Sequence, residues 1–435
     1  MGLLRRRRAQ HVAADYKNTT AARNDIPTTT QTIKVQMPIP EIDVLNSLVS
    51  RVFHIEDFTM GDPVKGTIAR YRGHLIVEDS VSAYDQLAES LRPHDIIPLF
   101  RIDKGQQTVY LATKKPDPRP TRVSINILLF ILTVLSVMLV GAEKSVAPTL
   151  PGILGQVMAV VETLLSGWPY ALSLMSILVA HEFGHYFMSR HHKTPATLPY
   201  FIPLPFPPLG TMGAAILMQG TPKNKRVLFD IGVAGPLAGI IVAIPILFYG
   251  LFISKLAVIQ PVPGMMLEQE GNSIFYLLAK YMVFGKLLPA PASTQGLSIG
   301  IYWLRYFFTG QPFPLGATDV MTSPVAFAGW AGLLVTALNL IPAGTLDGGH
   351  VIYSLFGDTA RKSFPYIWGA LILMGIFWNG WWIWAVLLLW LGRVHAEPLD
   401  QITPLDPSRR AIAVLVIIIF LLTFSPVPFA IFGGL

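Results

Sequence analysis

Residues 123–142 carry no charged side chain, and long apolar stretches recur at 168–189, 227–252, 320–340, 364–391 and 411–431. A helix needs about 20 predominantly apolar residues to cross a hydrocarbon core of about 30 Å, and within that core every backbone polar group must be paired inside the protein. The stretches therefore predict an all-α polytopic membrane protein with about six or seven transmembrane helices. The count turns on whether 364–391 is one tilted helix or two short ones, and 148–167 reads as a partly immersed helix. Composition agrees, with 52% of the residues hydrophobic and 14% charged, against roughly 25% charged in a soluble domain.

The second stretch is not purely apolar. It contains Ala180-His181-Glu182-Phe183-Gly184-His185. Residues four apart share one helix face, so His181 and His185 can grip one Zn²⁺, and Glu182 lies beside them, placed to take a proton from a metal-activated water. The chain has no cysteine, so any zinc must be held by His, Asp or Glu. His191 and His192 at the end of the same stretch are neighbours that point to different helix faces, and they are expected at headgroup level rather than on a metal.

After the fourth stretch the sequence runs Asn339-Leu-Ile-Pro-Ala-Gly-Thr-Leu-Asp-Gly-Gly-His350. Pro342 and Gly344 are expected to break the helix. Asp347 is a carboxylate in apolar surroundings, which makes it a functional candidate by default. Taken alone it reads as a helix cap at a Gly-Gly turn; beside a two-histidine helix that lacks a third ligand, metal ligation is the preferred reading.

Elsewhere the chain divides by composition. Residues 1–36 read as a disordered basic tail with Arg5 to Arg8, not expected to be a secretory signal. Residues 37–118 read as a small soluble α+β domain, with strands expected at 64–71 and 74–77 around Arg72-Gly73 and a hairpin of 96–102 with 108–112. Residues 123–435 form the membrane domain, with its core at 168–356. Seven prolines between 194 and 226 forbid a continuous helix, and the apolar 211–218 segment between them is expected to be a strand or β-hairpin dipping into the membrane. There it could bind an unwound peptide along its edge. Gly232, Gly235 and Gly239 give the third stretch a small-residue face for close helix packing.

The net charge of +7 sits beside the apolar stretches, which speaks for topology and against a nucleic-acid partner. Lys114, Lys115, Arg119, Arg190, Lys193, Lys223 to Arg226, Arg361, Lys362, Arg409 and Arg410 mark one side as cytoplasmic, and with it the N-terminal domain. From His185 to Arg190 is roughly 8 Å along a helix, so the metal would lie just below that surface.

The two motifs together, His181-Glu182-Phe183-Gly184-His185 and Asn339-x-x-Pro342-x-x-x-Leu346-Asp347-Gly348, resemble the site-2 protease family of intramembrane zinc metalloproteases. The resemblance covers roughly residues 168–356 and extends to the glycines at 232–239 and the proline-rich hairpin. It implies one zinc ion held by His181, His185 and Asp347, Glu182 as general base, and Asn339 as a substrate-positioning residue. It also implies transmembrane proteins as substrates, cleaved within the lipid bilayer. There is no PDZ-like insertion, and the N-terminal domain is similar to the branch found in cyanobacteria, chloroplasts and some other bacteria. A bacterial plasma membrane is the expected location. The competing readings are a solute or ion transporter with broken helices, a non-proteolytic scaffold or chaperone of the same fold, and a zinc hydrolase acting on lipid.

Overall fold

The computed structural model describes residues 40–61, 66–114, 121–142, 152–260, 267–392 and 396–432. The basic tail 1–36 and most of the linker at 115–120 lie outside the described residues. The N-terminal region runs α1 (Ile42–Val49), β1 (Phe53–Met60), β2 (Thr67–Leu75), α2 (Ser80–Leu91), β3 (Ile96–Asp103) and β4 (Gln106–Thr113). The strands form one antiparallel sheet in the order β1-β2-β4-β3. Its inward residues Phe53, Tyr71, Phe100 and Val109 pack on Leu45 and Val49 of α1 and Leu87 and Leu91 of α2. The Asp79 carboxylate caps α2 by accepting from the N–H groups of Val81 and Ser82, satisfying donors that a helix start otherwise leaves unpaired.

One strand of this region is missed in sequence and one expectation needs correction. β1 alternates in two halves, Phe53/Ile55 and Phe58/Met60, put out of phase by a bulge between Ile55 and Asp57, and goes unremarked in sequence. Arg72-Gly73 is not a turn, because β2 runs straight through it. A Cβ at Gly73 would lie 1.8 Å from the His54 carbonyl oxygen, so the glycine is there to let β1 approach.

The remainder is mostly helical: α3 (Val123–Val140), α4 (Gly152–Ser166), α5 (Trp168–His191), then the paired strands β5 (Tyr200–Pro203) and β6 (Thr211–Ala215), then α6 (Lys225–Phe252). Next come β7 (Lys255–Val258), β8 (Leu267–Glu270), α7 (Ile274–Phe284), α8 (Ile299–Thr309) and β9 (Thr318–Met321). The chain returns through α9 (Pro324–Asn339), α10 (Asp347–Phe356), α11 (Asp358–Met374), α12 (Gly380–Leu391), α13 (Pro407–Thr423) and β10 (Phe429–Phe432). Among the described residues, two helices, α3 and α6, are long and apolar enough to cross a membrane; α4 and α5, bent by 48° at Gly167, make a third span if counted as one.

Several stretches are shorter helices than the sequence suggests. The 320–340 stretch loses its first residues to β9, which pairs with β7, and its helix starts at Pro324 behind a Ser323 cap. The 364–391 stretch is two helices broken near Asn379. The 411–431 stretch ends as a helix at Thr423, and β10 pairs with β8 instead.

α5, α6 and α9 form the centre of the membrane-type region. Leu174, Ile177 and Leu178 of α5 meet Ala243 and Leu247 of α6 and Ala328, Ala331 and Leu333 of α9. Small residues set the spacing. A Cβ at Gly329 would lie 2.6 Å from the Leu247 Cα, and one at Gly250 would lie 2.2 Å from the Ala326 nitrogen. Between lipid-facing helices, where apolar burial drives association weakly, such contact distances supply the packing.

The N-terminal sheet does not stop at β3. The Phe100 N–H donates to the Leu399 carbonyl and the Gln401 N–H to the Phe100 carbonyl, while the Leu399 and Asp400 N–H groups donate to the carbonyls of Pro222 and Lys223. The segment at 399–401 is thus sandwiched between β3 and the start of α6. Arg101 donates to the carbonyls of Pro398 and Leu399, and the fully buried Asp400 accepts from the Ile402 and Thr403 N–H groups.

The hydroxyls of Ser80 and Thr403 lie 2.8 Å apart across this junction. In a chain without cysteine, the double variant Ser80→Cys/Thr403→Cys is expected to form an almost complete disulfide under mild oxidation. Non-reducing electrophoresis should show a compacted species absent from either single variant.

Candidate metal centre

The site is assembled where α5, α6, α9 and α10 meet. His181, Glu182 and His185 lie on one side of α5, each at most 6% exposed. Asp347 opens α10, brought back by the broken turn at 341–346. That turn is tight enough to require its glycines. Gly344 has φ of +56°, and a Cβ at Gly348 would lie 2.0 Å from the Leu340 carbonyl oxygen.

Three donor atoms converge. His181 Nε2 and His185 Nε2 are 3.2 Å apart, His181 Nε2 is 3.3 Å from Asp347 Oδ2, and His185 Nε2 is 3.3 Å from Asp347 Oδ1. The two nitrogens thus face different oxygens of one carboxylate, and one donor atom from each of the three residues lies within 4.8 Å of the others, a donor triangle. Tetrahedral coordination with bonds of about 2.0–2.1 Å spaces neighbouring donors by about 3.3–3.4 Å. The two nitrogens meet that spacing at 3.2 Å and each meets it toward one carboxylate oxygen at 3.3 Å, so two imidazoles and a carboxylate fit a single zinc ion with one position left open. Among the described residues, this is the group of His and carboxylate side chains that could hold a metal ion.

α6 fixes the His185 ring. Its Nδ1–H donates to the Ile231 carbonyl at 2.7 Å, which leaves the lone pair on Nε2 and points it into the triangle. The glycines of α6 make room for the rings: a Cβ at Gly235 would lie 2.1 Å from His185 Nε2, and one at Gly239 would lie 3.2 Å from His181 Nδ1. On the other helix, a Cβ at Gly184 would lie 2.5 Å from the Ala234 carbonyl oxygen. Pro236, inside α6, interrupts the backbone ladder one turn from Ile231.

Asn339 ends α9 with its amide nitrogen 3.4 Å from His181 Nε2, at the edge of the triangle and half-buried. Glu182 is adjacent to the ligand pair and interacts with the backbone of Ile216, just beyond β6. The strand pair is itself anchored to neighbouring helices. Asn126 of α3 donates to the Leu198 and Pro199 carbonyls, Ser136 of α3 to the Gly210 carbonyl, and Tyr170 of α5 to the Leu209 carbonyl. All five residues singled out in sequence are therefore brought together. The Ile231 carbonyl and the Ile216 backbone are missed, since a backbone group leaves no mark in sequence. Gly235 had a signal, the glycine repeat, although its partner ring did not. His191 and His192 stay away from the triangle, and His192 Nε2 pairs with Asp230 at 2.9 Å instead.

Gly235→Ala places a methyl on the His185 ring. It is expected to lower metal affinity by about 10- to 100-fold, read as zinc bound per chain by elemental analysis after dialysis against a buffered metal.

Comparisons with known proteins align with this geometry. Residues 169–377 match the model of peptidase family M50. The chain is 27% identical over 327 residues to the probable chloroplastic zinc metalloprotease EGY1 of Oryza sativa subsp. japonica, covering 71% of this chain and 52% of that protein. It is 29% identical over 278 residues to the probable chloroplastic zinc metalloprotease EGY2 of Arabidopsis thaliana, covering 63% and 44%, and 28% identical over 263 residues to EGY1 of Arabidopsis thaliana, covering 60% and 43%. The chain thus spans about half the length of these curated relatives. The segment that carries every residue of the donor triangle is the one that matches peptidase family M50, the site-2 protease family.

Proposed function

We propose that this chain is a zinc-dependent endopeptidase that hydrolyses peptide bonds in or near the transmembrane segments of membrane-protein substrates. The observation that carries this reading is the triangle of His181, His185 and Asp347 donors with Glu182 beside it. The relatives bearing the name zinc metalloprotease support it.

His181, His185 and Asp347 would hold the ion. Zinc in such a three-ligand site supplies Lewis-acid chemistry, acidifying water toward a pKa of about 7 and polarising a carbonyl. The Glu182 carboxylate accepts the proton of the attacking water and returns it to the leaving amine nitrogen. The Asn339 amide, at the rim, donates to the substrate backbone and holds it in register. A transmembrane helix has its carbonyls paired and hidden, so the scissile segment must be extended before attack. The outer edge of β6 can pair with such a segment, and the contact between Glu182 and Ile216 puts that edge next to the base.

In the membrane reading, α3, the α4–α5 pair, α6, α9, the α11–α12 pair and α13 cross, giving about six spans. Orientation follows from charge. Arg409 forms a two-pronged ion pair with Asp230, which also holds His192, so the ends of α5, α6 and α13 carry their basic residues at one level beside the N-terminal domain. That side faces the cytoplasm under the positive-inside rule, in a bacterial plasma membrane or its chloroplast equivalent.

Glu182→Gln is expected to retain one zinc per chain and lose cleavage of a membrane-embedded reporter by at least about 10²-fold, whereas His181→Ala and Asp347→Ala lose both. Zinc retention with unchanged cleavage in Glu182→Gln would remove it as the base. Zinc retention without cleavage in the wild type would assign the chain to the scaffold reading. Stripping the metal with a chelator should abolish cleavage, and re-adding Zn²⁺ should restore it.

A further inference from the structure

A second concave site lies at the same end of the bundle as the metal centre. It has a volume of about 500 Å³ and is walled by the end of α5, the segment that follows it and the start of α6. Its lining includes His191, His192, Lys193 and Lys223 together with the hydroxyl residues Thr194 and Thr221, and no carboxylate. The first turn of α6, capped by Asn224 onto the Val227 N–H, turns its positive end toward the same space.

The charges in this site are unequally committed. Asp230 holds His192, and Asp85 holds Lys223. Lys193 has no carboxylate partner among the described residues. Its backbone position is also unusual. The Thr194 N–H donates to the Ser189 carbonyl and the Lys193 N–H to the Arg190 carbonyl, the hydrogen bonds of a helix terminus whose left-handed residue is ordinarily glycine. Lys193 occupies that position with φ of +53°. A lysine there carries a backbone cost that glycine would not and places a cation at the mouth of the cavity.

The surroundings favour an amphiphile over a free ion. Phe187 is one turn before His191 on the same face of α5 and is 63% exposed. One turn further along, Arg190 lies over the Tyr186 ring, an arrangement suited to the headgroup layer. An acyl chain can lie along Phe187 while its headgroup occupies the basic cavity. Basic pockets between membrane helices on the cytoplasmic side take anionic headgroups in this way.

We infer that the cavity between the end of α5 and the start of α6 binds the phosphoryl group of an anionic lipid headgroup, with Lys193 as its principal cation. This site is separate from the donor triangle and does not depend on proteolysis. The test uses the full chain in neutral detergent, titrated with a short-chain phosphatidylglycerol, with the phosphatidylcholine of the same chain length, and with inorganic phosphate. Bound lipid is counted by native mass spectrometry. Phosphatidylglycerol is expected to bind the wild type and Lys193→Arg alike, with affinity about fivefold lower in Lys193→Gln and the zinc content of all three unchanged. Equal binding of phosphatidylcholine, or a Lys193→Gln variant that binds like the wild type, would overturn the site. Saturation by inorganic phosphate as tightly as by the lipid would overturn the headgroup assignment and leave a site for free phosphate.

Discussion

The metal centre rests on how closely α6 lies against α5. Two imidazoles and the Glu182 carboxylate are buried among apolar helices with Asp347 largely so, and burying each unpaired polar or charged group costs several kcal/mol. The fold reduces that cost with few groups. The Ile231 carbonyl satisfies one ring nitrogen of His185, the facing donors share one triangle, and glycines at 235 and 239 bring the α6 backbone against the rings. A divalent cation held by His181, His185 and Asp347 would offset the rest, neutralising the carboxylate and taking the lone pairs that otherwise face each other at 3.2 Å. Without those glycines the helices would separate and the Ile231 carbonyl would leave the reach of Nδ1.

The chemistry of the site was legible because it is local. His181, Glu182 and His185 are fixed by helix period alone, and Asp347 stands out as a charge after a Pro-Gly break in an apolar run. Their meeting point could be inferred from both motifs falling at the same end of their helices. What escaped depends on partners distant in sequence. β1 hides its alternation behind a bulge that exists only against β2, and Gly73 looks like a turn until the His54 carbonyl is seen against it. The ends of the apolar stretches escaped for a related reason. Hydropathy does not register that residues 318–321 pair with β7 or that residues 429–432 pair with β8, so apolar strands at the far end were merged with the helices next to them.

The segment at 399–401 was equally silent, and it changes what the N-terminal domain is. In sequence it is part of a polar loop between two apolar runs. In the fold it lies beside β3 on one side and beside Pro222 to Asn224 on the other, with Leu399 and Ile402 packed on the core of the N-terminal domain. The N-terminal sheet is therefore joined to the membrane-type region by backbone hydrogen bonds, each worth about 1 kcal/mol net, and not by its covalent linker alone.

The consequence lies in where those bonds end. Asn224 caps α6, and Ile231 follows seven residues later, about 10 Å along the same helix. A displacement of the N-terminal domain that carried the 399–401 segment with it would pull on the cap of α6, and the first functional group on that helix is the carbonyl that sets the His185 ring. The hairpin is held differently: Asn126 and Ser136 of α3 and Tyr170 of α5 fix it by side-chain bonds to its carbonyls. His185 is carried by α5, which also helps hold the hairpin through Tyr170, while the Ile231 carbonyl against its ring reaches back through α6 to the N-terminal domain. Under the proposed function, a displacement passed along α6 would reach the His185 ring alone, while one passed along α5 would reach both the ring and the hairpin edge.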